Sequence, residues 1–262
     1  MKQLLSFSLF CSAMAVAPLA HSSTVVVPGE FADLEGTAGG ENTALGNFSN
    51  TVQVVYNESV LLSSGLQVGD VLNGLAFRVG AAGNPARESP NFSVDNYIIR
   101  LSTSLNSAGD LADVFASNRG TDFTEVRSGA LTFNAADFDD TSTAPGSGPG
   151  TPNAFGSVIT FDNTFTYNGG DLLLEYTHTV ALALDDETPA VTSGADALND
   201  FNDDSGAPLV ESLFGAGFDV TTRTFSPEPG FAPVVQFSVV PEPSTGILSG
   251  MGLLGLLLRR RR

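Results

Sequence analysis

Residues 171–184 show the clearest alternation of apolar and polar positions in the chain. One parity carries Leu172, Leu174, Tyr176, His178, Val180, Leu182 and Leu184. The other parity is mostly polar, with Asp171, Glu175, Thr177 and Thr179, and Leu173 is its exception. Because alternate side chains point to opposite faces of a strand, this period of two predicts a long strand. We expect one face of it to be buried and the other to be solvated.

Shorter runs of alternating or β-branched residues recur along the chain. They predict strands at residues 51–56, 71–79, 92–102, 125–133, 156–161, 214–225 and 234–240, and an edge strand at 25–27. The apolar residues 60–62 follow the first of these after a turn and predict a hairpin with it. Residues 110–116 instead have the spacing of one helical turn.

Turns rich in Gly, Asn, Asp and Pro separate the predicted strands, and helical periodicity is almost absent. Roughly eight or more short strands of this kind predict an all-β fold, an antiparallel β-sandwich with a jelly-roll-like topology. We expect the sandwich to occupy residues 23–239.

The N-terminal residues have a different pattern. Lys2 precedes an apolar run at residues 4–17, and small residues follow, with Ala20 and Ser22 at the predicted cleavage site. This pattern predicts a signal peptide over residues 1–22, which would direct the chain to the export translocon.

The C-terminal residues combine three features in a fixed order. A turn formed by Pro241, Glu242 and Pro243 precedes an apolar run at residues 246–258, and four arginines follow: Arg259, Arg260, Arg261 and Arg262. A helix over the apolar run would be roughly 20 Å long, short of the ~30 Å hydrocarbon core of a bilayer. We therefore expect a short hydrophobic helix that is weakly anchored in the membrane, with its arginines on the cytoplasmic side.

This pattern over residues 240–262 resembles the PEP-CTERM sorting signal of Gram-negative bacteria, which membrane proteases called exosortases read. The resemblance implies a cut near Pro241 to Pro243 after transient attachment to the inner membrane. It also implies a final place at the cell surface or in the extracellular matrix, often with exopolysaccharide. An ordinary C-terminal membrane anchor is the alternative.

The body of the chain also resembles a recurrent cargo domain of PEP-CTERM proteins. The similar segments are residues 53–56, 73–78, 99–103, 110–118 and 161–175. Such cargo domains have no characterised catalytic role, so the resemblance implies a fold and a location rather than an activity.

The charge balance excludes one class of partner. Without the two terminal signals, six arginines remain against 29 acidic residues, a net charge of −23 if Glu242 is kept. Such a surface repels nucleic acid and anionic membranes, so nucleic acid is not an expected partner. The one cysteine, Cys11, lies in the predicted signal peptide, so we expect no disulfide.

Candidate catalytic chemistry is sparse. His178 is the one histidine outside the signal peptide, and it shares a parity with Leu174 and Tyr176, which predicts a structural role. Too few His and Cys residues remain for a zinc site. Acidic residues are so abundant that pairs of carboxylates carry no specific signal. We therefore predict no catalytic residues and a non-enzymatic protein.

The one candidate metal site lies in the acidic segment 200–211. Asp200, Asn202, Asp204 and Glu211 stand at offsets 1, 3, 5 and 12, the oxygen-ligand spacing of a calcium loop. Gly206 and Pro208 depart from that pattern, since the sharp turn requires glycine one position earlier. We expect no cofactor, with calcium as an open alternative to a solvated acidic loop.

Three functions remain open on this basis. The first is a structural, adhesive or matrix component of the cell surface or biofilm. The second is a calcium-assisted carbohydrate-binding module that binds exopolysaccharide, and the third is a secreted hydrolase that uses carboxylates.

Overall fold

Strands dominate the part of the chain that the computed structural model describes, which is residues 22–41, 48–80, 91–134, 152–183, 195–198 and 200–240. All of these residues belong to one compact unit. No helix within these ranges is long and apolar enough to cross a membrane. The predicted signal peptide before Ser22 and the predicted tail after Val240 lie outside the described residues, so the boundaries at both ends stay predictions.

The described strands are β1 (Ser23–Val27), β2 (Ala38–Glu41), β3 (Asn50–Tyr56), β4 (Val71–Phe77), β5 (Phe92–Val94), β6 (Tyr97–Thr103), β7 (Thr124–Arg127), β8 (Leu131–Phe133), β9 (Ile159–Thr166), β10 (Leu172–His178), β11 (Ala181–Ala183), β12 (Ala195–Leu198), β13 (Val210–Ala216), β14 (Glu228–Pro229), β15 (Ala232–Pro233) and β16 (Val235–Val240). The helical elements are α1 (Glu58–Ser63) and two 3-10 turns, Gly29–Phe31 and Phe115–Ser117.

Two large sheets organise these strands. One has four strands in the order β1-β16-β4-β9, and the other has six in the order β14-β13-β3-β10-β6-β7. Two three-stranded sheets, β11-β5-β8 and β15-β12-β2, complete the described strands. Each pairing among them is antiparallel. The predicted all-β antiparallel fold is confirmed, and the jelly-roll-like topology stays a prediction.

The core lies between the two large sheets. Phe77 of β4 meets Tyr176 of β10 edge to face, with ring centroids 6.0 Å apart. One hydrophobic cluster joins fully buried side chains from both sheets, among them Val54 and Leu174 from one and Leu75 from the other. The two sheets therefore face each other as a sandwich, and burial of this cluster supplies the main stabilising term.

The hairpin predicted at residues 60–62 is wrong, because these residues belong to α1. Asn57 takes an extended N-cap conformation, and the amide N–H of Val60 and of Leu61 donates to the Asn57 carbonyl oxygen. Val60 and Leu61 are both buried, although a strand would point consecutive side chains to opposite faces. A helical turn lets both of them reach the core.

Several other elements differ from their predicted positions. The strands predicted at residues 92–102 and 125–133 are each divided in two, as β5 and β6 and as β7 and β8, and the strand predicted at 214–225 occurs earlier, as β13. The long strand expected over residues 171–184 is divided between β10 and β11. The helical turn predicted at residues 110–116 occurs instead as the 3-10 turn Phe115–Ser117. Leu111 and Phe115 are both buried, as their spacing suggested, but the chain between them is not helical.

Candidate functional site

The polar face of β10 is the largest departure from the sequence-based expectation. Glu175 and Thr177 were predicted to be solvated, and both are completely buried. The prediction is wrong because the chain covers the outer side of the six-stranded sheet: Leu111 and Phe115 pack there against Leu173 in a second hydrophobic cluster. A buried polar cluster results, with a carboxylate at its centre.

Glu175 accepts charge-assisted hydrogen bonds from two arginines. Arg119 binds it through two bonds, from Nε to Oε2 at 2.9 Å and from Nη2 to Oε1 at 2.8 Å. Arg100 adds a bond from Nη1 to Oε1 at 2.9 Å, and Gln53 donates from Nε2 to Oε2 at 2.8 Å. Both oxygens of this fully buried carboxylate are thus held by donors, which is how a charge becomes tolerable away from water.

The cluster continues into the covering segment through amide side chains. Asn118 donates from Nδ2 to Gln53 Oε1 at 2.9 Å, and its Oδ1 accepts the backbone N–H of Ala112 and the Nδ2 of Asn106, each at 2.8 Å. Asn118 is itself fully buried. These bonds attach the segment that contains residues 106–119 to the central strands.

Arg100 also links the buried carboxylate to the surface. Its Nη1 lies 2.8 Å from Asp219 Oδ1, and its Nε lies 3.4 Å from Glu125 Oε2. Burial alone would lower the pKa of Arg100, but the hydrogen bonds to Asp219 and Glu175 outweigh it and raise the pKa. The guanidinium stays charged, so the cluster joins loops electrostatically across the sheet.

Sequence reasoning missed this cluster, although a signal was present. Gln53 and Glu175 each interrupt a run of apolar residues. The chain between the predicted signal peptide and the predicted sorting signal has few basic side chains that could pair with an acid. A charged residue within an apolar run either faces solvent or has a buried partner. The sequence pattern does not distinguish the two cases, because the covering segment is remote in the chain.

Glu211, one of the predicted calcium ligands, has a different set of contacts. It lies on β13 and is 2 % exposed. Its Oε2 accepts the backbone N–H of Gly109 at 2.8 Å and of Leu111 at 3.3 Å. Burial raises the pKa of Glu211, and these two hydrogen bonds offset part of that rise. The carboxylate thus holds the covering segment onto the sheet.

Substitutions at Glu211 should distinguish the contribution of its hydrogen bonds to stability from the contribution of its charge. Glu211→Ala leaves two N–H groups without an acceptor and is expected to lower the free energy of unfolding by about 1–3 kcal/mol. Glu211→Gln keeps an oxygen acceptor, so we expect it to be at least as stable as the wild type at pH 7.

The pH dependence supplies the control for these variants. Because the folded chain binds the Glu211 proton more tightly than the unfolded chain, ionised Glu211 lowers stability, and this loss disappears as the pH falls through the raised pKa. The advantage of Glu211→Gln in urea unfolding should therefore shrink from pH 7 towards acid. An advantage that grew on acidification would contradict this role.

The other predicted ligands lie on an exposed loop. Asp200, Asn202 and Asp204 are all exposed, and Asn202 forms a bridge with Pro208. The residue that orders the loop is Asp203, which the calcium spacing omits. Across the described ranges, no group of three or more His, Cys, Asp or Glu side chains could hold a metal ion. Calcium binding stays a prediction.

Asp203 organises its loop through one carboxylate oxygen. Oδ1 accepts the backbone N–H of Ser205 at 2.8 Å, the hydroxyl of Ser205 at 2.6 Å and the backbone N–H of Ala207 at 3.0 Å. The hydrogen bond from the Ser205 side chain, with those from the backbone, lowers the pKa of Asp203. Local hydrogen bonds therefore account for the shape of this loop.

His178 has a structural environment, as its parity predicted. It is 1 % exposed, and its ring stacks on Tyr97 with centroids 5.3 Å apart and an interplanar angle of 4°. Its Nδ1 lies 2.8 Å from the carbonyl oxygen of Thr179. Since a carbonyl oxygen can only accept, Nδ1 carries the proton.

The last strand of the domain leads directly into the predicted sorting signal. β16 lies between β1 and β4, where Val239 pairs with Ser23 on one side and with Leu72 on the other. Val240 pairs with Val71 and is the last residue of the strand. The predicted processing residues that follow, Pro241, Glu242, Pro243 and Arg259 to Arg262, lie outside the described residues, as does Ala20. Ser22 is exposed beside β1, and its role at a cleavage site stays a prediction.

Comparison with known proteins gives one match. No curated protein and no solved structure matches the chain. The family model of the PEP-CTERM protein-sorting motif matches residues 239–262. The match contains the Pro-Glu-Pro turn, the apolar run and the arginines, and its first two residues are the last two of β16.

This match indicates the cellular route of the protein, which is export and processing at the membrane. The motif belongs to proteins that are exported and that exosortase processes at the membrane. The sorting signal inferred from three linear features is thereby confirmed. The chain carries a PEP-CTERM protein-sorting motif at residues 239–262.

Proposed function

We propose that the exported domain is a non-enzymatic structural or adhesive component of the surface or extracellular matrix of a Gram-negative bacterium, associated with exopolysaccharide in a biofilm. The observation that best supports this proposal is the structural role of the Glu175 cluster. Its carboxylate and both of its arginines bind the covering segments to the sheet, so these charges serve the architecture of the domain.

The composition fits a scaffold that works outside the cell. With Cys11 in the predicted signal peptide, the rest of the chain has no cysteine and gains no stability from disulfides. The sandwich core and the buried ion pairs must stabilise it instead. The large negative charge keeps copies apart at low salt and attracts cations, a property that suits a hydrated matrix.

The test compares wild-type cells with cells that lack the protein and with complemented cells. We expect the processed protein in the matrix fraction, its co-sedimentation with the exopolysaccharide of its host, and a less cohesive biofilm without it. Free protein in the medium, with an unchanged biofilm, would contradict the proposal. Release of sugar from the same polysaccharide would favour the hydrolase.

One observation favours the carbohydrate-binding module as a second candidate. A groove of about 590 Å³ lies beside the acidic loop, lined by Pro28, Gly29, Glu30, Ser59, Val60, Ser63, Phe201 and Leu209. It combines the aromatic ring of Phe201 with the hydroxyl groups of two serines and one carboxylate. Sugar ligands use both kinds of contact, an apolar face and hydrogen bonds to hydroxyl groups.

Calcium separates these two candidates. If the loop is only solvated, adding calcium or a chelator should leave the melting temperature unchanged. If the predicted ligands bind calcium, the melting temperature should rise with calcium concentration by mass action. The double variant Asp200→Asn, Asp204→Asn should then abolish the rise, whereas Glu30→Gln, a groove residue outside the loop, should keep it.

A further inference from the structure

The two ends of the sandwich chain meet at one end of the four-stranded sheet. Ser23, the first residue of β1, pairs with Val239 of β16. Val240 pairs with Val71, the first residue of β4, and Val71 pairs with Thr166, the last residue of β9. The chain therefore leaves the sheet, at Val240, among the termini of three neighbouring strands.

The sorting motif begins without a spacer. Its match starts at Val239, which is 1 % exposed inside the sheet. Pro243 is three positions after Val240, and three residue steps span at most about 11 Å when fully extended. An enzyme that acts at the Pro-Glu-Pro turn of a folded domain must therefore come close to this end of the sheet.

The surface at this end, which we call the sorting face, consists of residues 67–70 and 166–171. Its two segments are tied together by backbone bonds, from Gly69 N to Tyr167 O at 2.8 Å and from Tyr167 N to Asp70 O at 2.9 Å. The carboxylate of Asp70 accepts the backbone N–H of Gln67 at 2.8 Å. Val68 projects from this ordered surface and is 61 % exposed.

The charges on and beside the sorting face argue against a lipid partner. Glu58 and Asp171 lie close to Tyr167, and burial together with these two carboxylates raises the pKa of Tyr167 to about 12. Glu58 accepts the backbone N–H of Gly170, and Asp171 accepts the backbone N–H of Glu58. An anionic lipid surface would repel these carboxylates, whereas a protein surface can complement them.

We propose that the sorting face docks on the exosortase while the C-terminal tail still anchors the chain in the membrane. The cut is then made on a domain whose four-stranded sheet has already formed. The argument rests on the length of chain between the sheet and the motif and on the order of the surface beside it. It goes beyond the proposed function, because it holds whether the domain is structural or binds sugar.

Two exposed valines provide a matched test by crosslinking. Val68 lies on the sorting face, whereas Val158 lies beside Gly74 and Leu75 of β4, roughly 13 Å further along the sheet from Val71 for four residues at about 3.3 Å each. In cells that make the full chain, Val68→Cys and Val158→Cys are each labelled with a short photoreactive maleimide. We expect an adduct with the exosortase that is several times more abundant from Val68→Cys.

A spacer tests whether proximity causes the adduct. Twelve Gly and Ser residues between Val240 and Pro241 would separate the domain from the motif by roughly 20 Å on average. The Val68→Cys adduct should then fall to the level of Val158→Cys. Equal adducts from the two valines, adducts with lipid alone, or no adduct from a normally processed Val68→Cys chain would overturn the proposal.

Closure of the sheet before the cut has its own readout. Thr24 and Ser238 are direct partners in β1 and β16, so Thr24→Cys with Ser238→Cys should form a disulfide in the uncut chain. Thr24→Cys with Gln236→Cys is a diagonal pair, about 7–8 Å apart, and should not. A disulfide that formed only after processing would overturn the proposed order of events.

Discussion

Glu175→Ala is expected to lower the free energy of unfolding by about 3–5 kcal/mol, because it leaves buried positive charge without its partner. Arg100 and Arg119 would lose a carboxylate that is completely buried, and Gln53 would lose an acceptor. The side chains of Arg100 and Arg119 are only 11 % and 24 % exposed, so water would solvate these charges poorly. Urea unfolding monitored by circular dichroism measures the loss.

Glu125→Ala is the matched control, since it removes a partner of the same arginine. The Glu125 side chain is 47 % exposed and lies 3.4 Å from Arg100 Nε. We expect a loss of about 0–1 kcal/mol, as for other exposed ion pairs. Equal losses in the two variants would show that burial of Glu175 does not determine its contribution.

Replacing Pro241, Glu242 and Pro243 with alanine is expected to leave the chain uncut and held at the membrane, because exosortase processing depends on this motif. The domain itself should keep its melting temperature, since β16 ends at Val240 and all of its described pairings precede the change. Intact-mass measurement of the membrane, surface and medium fractions shows both the cut and the location.

Two deletions serve as controls for this result. A chain without residues 241–262 should fold normally but lack the membrane stage. A chain without residues 235–262 also lacks β16, the strand between β1 and β4, and should not fold. A processed product of normal mass from the alanine variant would contradict the role of the Pro-Glu-Pro turn.

The strands could be predicted because alternation is a local property. The pairing of β10 with both β3 and β6 places its apolar parity in the core, as residues 171–178 indicated. The sorting signal was readable for the same reason, since its three parts adjoin in the sequence. Residues 60–62 were misassigned because a short apolar run does not distinguish a strand from a helical turn.

The environment of a polar residue could not be predicted in the same way. Alternation shows that Glu175 and Leu174 face opposite sides of β10, but not that another segment covers the polar side. Likewise, the spacing from Asp200 made Glu211 a candidate calcium ligand but gave no sign that its carboxylate accepts N–H groups from Gly109 and Leu111, about a hundred positions earlier. Contacts between remote segments decide these cases.

The pairing of β1 with β16 also bears on when the domain can complete its fold. β1 is the first strand of the sequence, yet its one described partner strand, β16, is the last. A chain whose β16 is not yet available therefore has β1 without this partner and an incomplete four-stranded sheet. Because the four-stranded sheet includes the last strand of the domain, we expect the sandwich to become stable only after the whole domain has been exported.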